Sequence, residues 1–294
     1  MNVILILANN MEWFKLMVAN FPTSINNFKL IVVNEVRIGD KTKEIERILE
    51  HSIIHDYEII SSNIINQKFK EDVIDNSFVD DYTMSMNILS LWYVYKYISS
   101  IKKILLLDDD VILREGFDKV FESDKHLFYH TALVGLHPDY YRLSANARSI
   151  FNEWFRIFKI DFSLNWWQKE YIKKYVNSGQ RLIIMKNFDV IRYENCLKEF
   201  FKSEIFYRAW TNRNTYCSWY FDERFENFFF FDDLNHDLKK TYNYLLVCRN
   251  PQKMNENHFG RISRSTLFHN ATNSHKRELY DILIERGIIH DSYI

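Results

Sequence analysis

The run Lys103-Ile104-Leu105-Leu106-Leu107-Asp108-Asp109-Asp110-Val111-Ile112 constrains this chain more than any other stretch. Four aliphatic residues lead straight into three aspartates, and aliphatic residues resume at once. An apolar run of that length reads as a buried strand of an α/β sheet. Carboxylates are rarely buried unless paired, and adjacent like charges raise each other's pKa. Three of them at the end of a buried strand call for a compensating cation, most simply a divalent metal held by carboxylate oxygens. In open α/β sheets that strand end is also where ligands bind. The plain alternative is an acidic turn that only caps the strand.

The rest of the first half alternates. Residues 3–8, 29–34 and 57–60 read as strands. Helical spacing of apolar residues marks 12–20, with Trp13, Leu16 and Met17, and 42–54, with Ile45, Ile48, Leu49 and Ile53 on one face. A long helix over 82–100 leads into the Asp108 strand. This alternation is the pattern of a parallel, right-handed α/β sheet, and it makes the triple-Asp strand the fourth. Past residue 121 the pattern turns irregular and aromatic. Strands are expected at 132–136 and 181–185, a turn at 176–180, and helices over 150–175, 190–206 and 219–229.

Composition narrows the class. The 294 residues are 47% hydrophobic and 26% charged, which excludes disorder, and no linker breaks the chain, so a single domain is expected over 1–294. Its 1–120 half reads as nucleotide-binding and its 121–294 half as substrate-shaping. A net charge of −1 leaves no strong electrostatic footprint for nucleic acid. Cys196, Cys217 and Cys248 lack metal-ligand or redox spacing and are expected to be reduced buried thiols in a cytoplasmic setting. The apolar start ends at Asn9 after too few residues for a signal peptide, and 84–98 is broken by polar residues, so no membrane span is expected.

Four stretches carry a resemblance in order. They are Ile104 to Val111; Asn177-Ser178-Gly179; Asp222-Glu223-x-x-x-Asn227 with Tyr242-Asn243; and Leu267-Phe268-His269 followed by Lys276. Together they resemble the GT-A glycosyltransferases, most closely their family eight, the glycogenin-like and galacturonosyltransferase-like group. The resemblance implies an α/β GT-A fold: a Rossmann-like, mostly parallel central sheet flanked by helices, with an irregular, aromatic-rich second half. It also implies transfer of a sugar from a nucleotide-sugar, a UDP-sugar by family, with retention at the anomeric carbon. The acceptor is left open among a glycan, a protein, a lipid and a modified nucleobase.

The resemblance also distributes roles. Asp108, Asp110 and His269 would hold Mn²⁺ or Mg²⁺. Asp108 and Asp110 lie two apart, so in an extended turn both can point to one side, and Mn²⁺ accepts nitrogen more readily than Mg²⁺. Asp109 would contact the ribose or sugar. Ala8, Asn9 and Asn10 stand where the family has its first donor-binding turn, Asn177 and Gly179 where it has a sugar-binding turn, and Lys276 where it has a diphosphate-binding lysine. Asp222 and Glu223 would face the donor sugar and the reaction; a Glu at the family's Gln position could serve as nucleophile or general base, which a Gln cannot. Trp166-Trp167, Trp210, Trp219 and Tyr140-Tyr141 are candidates to stack on an acceptor, though most such aromatics are core.

Two other classes share some of these features. The strand at 105–112 also resembles the hhhhDxDx[TV] nucleophile strand of haloacid-dehalogenase-type phosphatases, with Asp232-Asp233-x-x-x-Asp237 as a late acidic element. In those enzymes, however, the nucleophile strand opens the fold. The other class is a non-catalytic nucleotide-sugar-binding protein.

Overall fold

The computed structural model of the chain describes residues 1–23, 28–36, 39–73, 86–130, 140–163, 167, 176–211, 221–234, 244–247, 251–265, 267–270 and 275–291. Their strands are β1 (Asn2–Ala8), β2 (Phe28–Asn34), β3 (Tyr57–Ser61), β4 (Lys103–Asp108), β5 (Val111–Leu113), β6 (Leu127–His130), β7 (Val176–Ile184), β8 (Tyr244–Val247) and β9 (Leu267–Asn270). Their helices are α1 (Met11–Ala19), α2 (Thr42–Glu50), α3 (Ser62–Asp72), α4 (Met86–Tyr97), α5 (Ala145–Phe158), α6 (Val190–Lys202), α7 (Glu204–Thr211), α8 (Phe221–Phe229), α9 (Glu256–Arg264) and α10 (Lys276–Glu285).

The main sheet has the order β3-β2-β1-β4-β7-β6. Its first four strands are parallel, and β7 runs antiparallel to both β4 and β6. From β1 the chain steps outward to β2 and β3, then returns to lay β4 on the other side of β1. The strand order therefore reverses between β1 and β4, which is where open α/β sheets form a crevice at their carboxyl ends. In register, Leu7 pairs with Asp108, so Asn9-Asn10 and Asp109-Asp110 leave the sheet side by side.

Alternation along the strands builds two cores. Leu5, Ile31, Val33, Ile104, Leu106 and Ile183 face a core filled by α3, α4, α5, α6 and α8. Ile4, Ile6, Val32, Leu105, Leu107 and Leu182 face α1, α2 and the 3-10 turn Phe117–Glu122. All four aliphatics of β4 are essentially inaccessible, and burial of each contributes about 1.5–3 kcal/mol. Much of the aromatic content goes into the first core, where Trp154 packs on Phe200, Phe206, Phe225 and Phe228. Trp167 is buried there too, against Phe151, so it is not an exposed stacking platform. A third cluster packs α9 and α10 onto α1 through Leu16, Ile112, Phe259, Leu279, Tyr280 and Leu283.

Several expected boundaries move. The helix at 42–54 stops at Glu50, and the chain turns at His51, leaving Ile53 about half exposed (47%) instead of on the buried face. Of the helix expected at 150–175, the part up to Phe158 is in α5, capped by Ser144 and stopped by Lys159 in the left-handed region (φ 53°), and 164–166 and 168–175 lie outside the described residues. The helix at 190–206 breaks at Ser203 into α6 and α7. The turn at 176–180 is the first half of β7. Leu107 pairs with Gln180 on one edge, while on the other the ladder jumps from Phe128↔Arg181 to Tyr129↔Asn177. Residues 178–180 thus fall outside the β6 ladder while Gln180 still pairs with β4, which explains a turn-like composition inside a strand. Helix α3, with Ile65 and Phe69 buried and Ser61 as its cap, and the short strand β5 were not expected. The strand expected at 132–136 lies outside the described residues, as do Cys217 and Cys248. Cys196 is a buried free thiol whose pKa burial raises to about 11. Among the described residues no helix is long and apolar enough to cross a membrane.

Candidate active site

The crevice between the carboxyl ends of β1 and β4 is tied together by the triple-Asp turn. Asp109 Oδ2 accepts the backbone N–H groups of Asn9 (2.7 Å) and Asn10 (2.6 Å). Two successive N–H groups aimed at one point form an anion-binding concavity, and here the occupant is the protein's own carboxylate. Asn10 Oδ1 in turn accepts from the N–H groups of Glu12 and Trp13 and caps α1. Lys41 donates to the carbonyl of Asn9 at 2.9 Å. One short segment, Ala8-Asn9-Asn10, is thereby fixed between its strand, its helix and Asp109.

Burial pushes the Asp109 carboxyl up to about 7. The charges of Asp110 and Asp108 push the same way, and the two backbone hydrogen bonds only partly offset them. Asp109→Ala removes the acceptor and is expected to cost about 1–3 kcal/mol, whereas Asp109→Asn keeps an acceptor oxygen and is expected to stay within about 1 kcal/mol of the parent. Urea denaturation of both variants checks this, and equal losses would mean that Asp109 does not anchor the loop.

Asp110 turns the other way, into the C-terminal helix. Its carboxylate is ion-paired with the Lys276 ammonium, both side chains being only 8% exposed. Its backbone carbonyl accepts the Tyr280 hydroxyl at 2.8 Å. Lys276 and Tyr280 are four residues apart and share one face of α10. Trp13 completes the contact: its ring lies 5.2 Å from Tyr280 and 5.7 Å from the Lys276 nitrogen. Outside this buried knot, Arg277 pairs with Glu12 and with Asp281. The first turn of α10 is thus docked onto the first turn of α1 and the triple-Asp turn together. Asp108, still paired in register with Leu7, is partly exposed at the crevice.

Of the other expected residues, backbone pairing brings His269, Asn177 and Gly179 to this strand end. Val111 pairs with His269 in the small sheet β5-β9-β8, so His269 stands opposite the residue that follows Asp110. Asn177 and Gly179 lie on β7 just beyond the Leu107↔Gln180 pair, at the carboxyl end of β4. Asp222 and Glu223 are in the first turn of α8. The side chains of His269, Asn177, Asp222 and Glu223 are outside those described. Among the described residues no three His, Cys, Asp or Glu side chains form a group that could hold a metal ion.

Sequence reasoning missed Trp13 and Tyr280 as part of the site, and it missed a second buried ion pair, between Arg181 of β7 and Glu226 of α8. The only hint of the latter was a lone arginine opening the apolar run Leu182-Ile183-Ile184. A groove of about 720 Å³ between α5 and α6, lined by Arg156, Lys159, Arg192 and Lys198, contains none of the expected site residues. Its Arg156 is already paired with Glu153 and Glu199. Charge and topology locate the candidate site at the β1–β4 crevice.

No family model matches the sequence, and neither does any curated protein. Solved structures do resemble the chain. Mouse xyloside xylosyltransferase 1 in its apo form superposes over 92% of this chain and 97% of its own, with a TM-score of 0.51 and 11% identity. The galactosyltransferase LgtC, in complex with donor and acceptor sugar analogues, matches over 98% and 100%, with a TM-score of 0.48 and 13% identity. The bifunctional glycosyltransferase WbbM matches over 92% of this chain and 45% of its own, at 0.49 and 11%. At such identities the likeness is one of fold. The chain has the GT-A fold, as the ordered motifs implied.

Proposed function

We propose that this chain is a glycosyltransferase that takes a sugar from a nucleotide-sugar, a UDP-sugar by family resemblance, with the help of a divalent cation. The observation that carries the reading is the crevice itself. In a GT-A fold, the strand-order reversal brings Ala8-Asn9-Asn10 against Asp108-Asp109-Asp110, with Lys276 closing over Asp110. The donor set fits Mn²⁺ or Mg²⁺. Carboxylates of Asp108 and Asp110 offer hard oxygens at one strand end, and Asp110 is held against a positive charge even without a metal. Asp108, Asp110 and His269 would hold the ion, which when bound supplies neutralisation of the charge developing on the leaving diphosphate. Ala8-Asn9-Asn10, held rigid by Asp109, would seat the nucleoside. Asn177 and Gly179 would border the sugar, and Lys276 would meet the diphosphate. Asp222 and Glu223 would face the reacting carbon, with retention as the family's outcome and Glu223 as the group that could act as nucleophile or base.

Two features favour this over a phosphohydrolase. The Asp strand is preceded by three parallel strands, and Ile112 is buried in β5 against the C-terminal helices. The test is a panel of nucleotide-sugars followed by thermal shift and by release of nucleoside diphosphate, with and without Mn²⁺. The expected outcome is that one donor raises the melting temperature by several degrees only with metal, as saturating ligand adds about 2–4 kcal/mol, and that chelation stops its slow hydrolysis. Stabilisation without hydrolysis would identify a binding protein. Indifference to every donor would sink the reading.

A further inference from the structure

We propose that Lys276 is a built-in competitor for the divalent cation at Asp110, so that metal binding becomes conditional on the nucleoside diphosphate. The inference rests on the metal-bridged donor reading above and goes beyond it, because it concerns what the site does before any donor arrives. In the structure the Asp110 carboxylate is ion-paired with the Lys276 ammonium, and neither side chain is more than 8% exposed. A divalent ion at the same carboxylate must push that ammonium aside. Two cations at one buried carboxylate repel each other strongly where the local dielectric is low, and a buried ammonium that loses its partner is costly unless another anion takes it.

The surroundings allow the head of Lys276 to move and hold its root still. Tyr280, one turn further along α10, donates its hydroxyl to the Asp110 carbonyl, and Leu279, Tyr280 and Leu283 anchor α10 in its own core. The helix therefore cannot retreat to free Asp110. The Lys276 ammonium lies 5.7 Å from the centre of the Trp13 ring, next to the segment that caps α1. A flexible stem with a compact point charge can exchange one anion for another without backbone movement, whereas an arginine fork would grip a carboxylate through two parallel bonds. A diphosphate arriving at the crevice offers the second anion. It would draw the ammonium off Asp110 and leave that carboxylate to the metal. Coupling of this kind is reciprocal: whatever factor the diphosphate adds to metal affinity, the metal adds to diphosphate affinity.

Calorimetric titration with Mn²⁺ alone, and with Mn²⁺ in saturating UDP, tests this in the full chain. In the parent protein UDP is expected to tighten Mn²⁺ by about tenfold or more. Lys276→Met keeps the stem and removes the charge. It is expected to bind Mn²⁺ alone about tenfold tighter than the parent, with a correspondingly smaller gain from UDP. Lys276→Arg keeps the buried pair, and with it the fold, and moves the other way, binding Mn²⁺ alone more weakly than the parent. Should Lys276→Met not fold, the arginine variant decides alone, and Mn²⁺ affinity no weaker than the parent's overturns the proposal. Equal Mn²⁺ affinity in all three proteins, with UDP and Mn²⁺ still binding together, overturns the competition and leaves the donor reading intact. If the parent binds no Mn²⁺ even with UDP present, both fail.

Discussion

Asp110→Asn is expected to lower stability by about 3–5 kcal/mol, because it leaves the Lys276 ammonium buried without its counter-charge. The amide keeps the shape and one acceptor oxygen, so packing is preserved and the loss is electrostatic. The same variant is expected to lose on the order of a thousandfold in metal-dependent donor turnover, since a metal ion's charge stabilisation amounts to several kcal/mol and each 1.4 kcal/mol is a factor of ten. Urea denaturation reads the first effect and nucleoside diphosphate release reads the second. A second change, Lys276→Met, in the Asp110→Asn background removes the orphaned charge and should recover much of the stability without any turnover. A single variant as stable as the parent would mean that the pair is solvated. Undiminished Mn²⁺-dependent release would remove Asp110 from the metal site.

The second large effect belongs to Arg181 and Glu226, whose side chains are 0% and 1% exposed and ion-paired inside the aromatic core. Arg181 lies opposite Leu106 of β4 and Phe128 of β6, and Glu226 lies among Phe225, Phe228 and Phe229 on α8. Removing either partner breaks an ion pair where water cannot reach, so Arg181→Met or Glu226→Leu alone is expected to cost about 3–5 kcal/mol. Both together replace the pair with apolar volume and are expected to return to within about 1 kcal/mol of the parent, as apolar replacement of buried pairs is often neutral or better. The double variant has a further use. Glu226 is one turn beyond Asp222 on α8, so the pair fixes how that helix is rotated against β7. A double variant that regains stability but loses turnover would assign the pair a positioning role. A double variant as unstable as the singles would falsify the claim that charge, and not packing, sets the cost.

The first half of the fold was legible because its signals are local. β1, β2 and β4 are continuous aliphatic runs, and a parallel strand buried on both faces has no other composition to offer. Where a local signal failed, a non-local contact had overridden it. Asn177-Ser178-Gly179 has turn composition, yet it lies inside β7, because β6 pairs with Val176 and Asn177 on one side of an irregularity and β4 pairs with Gln180 on the other. The apolar spacing of 42–54 continues past the point where the chain turns, so Ile53 looked buried and is not. Nothing in the residue type of Lys159 announces a left-handed cap that ends α5. Asp109 also accepts the backbone N–H groups of Asn9 and Asn10, a role that depends on β1 and β4 being neighbours and that the sequence did not announce.

From the triple-Asp strand alone it followed that carboxylates leaving a buried strand must meet positive charge, since burial of the run is a property of its own residues and the cost of an uncompensated carboxylate is general. Which charge meets them was decided only by the tertiary structure. Lys276 is 166 residues away from Asp110. The two come together because α10 packs its apolar face on α1, a contact that no periodicity near residue 110 encodes.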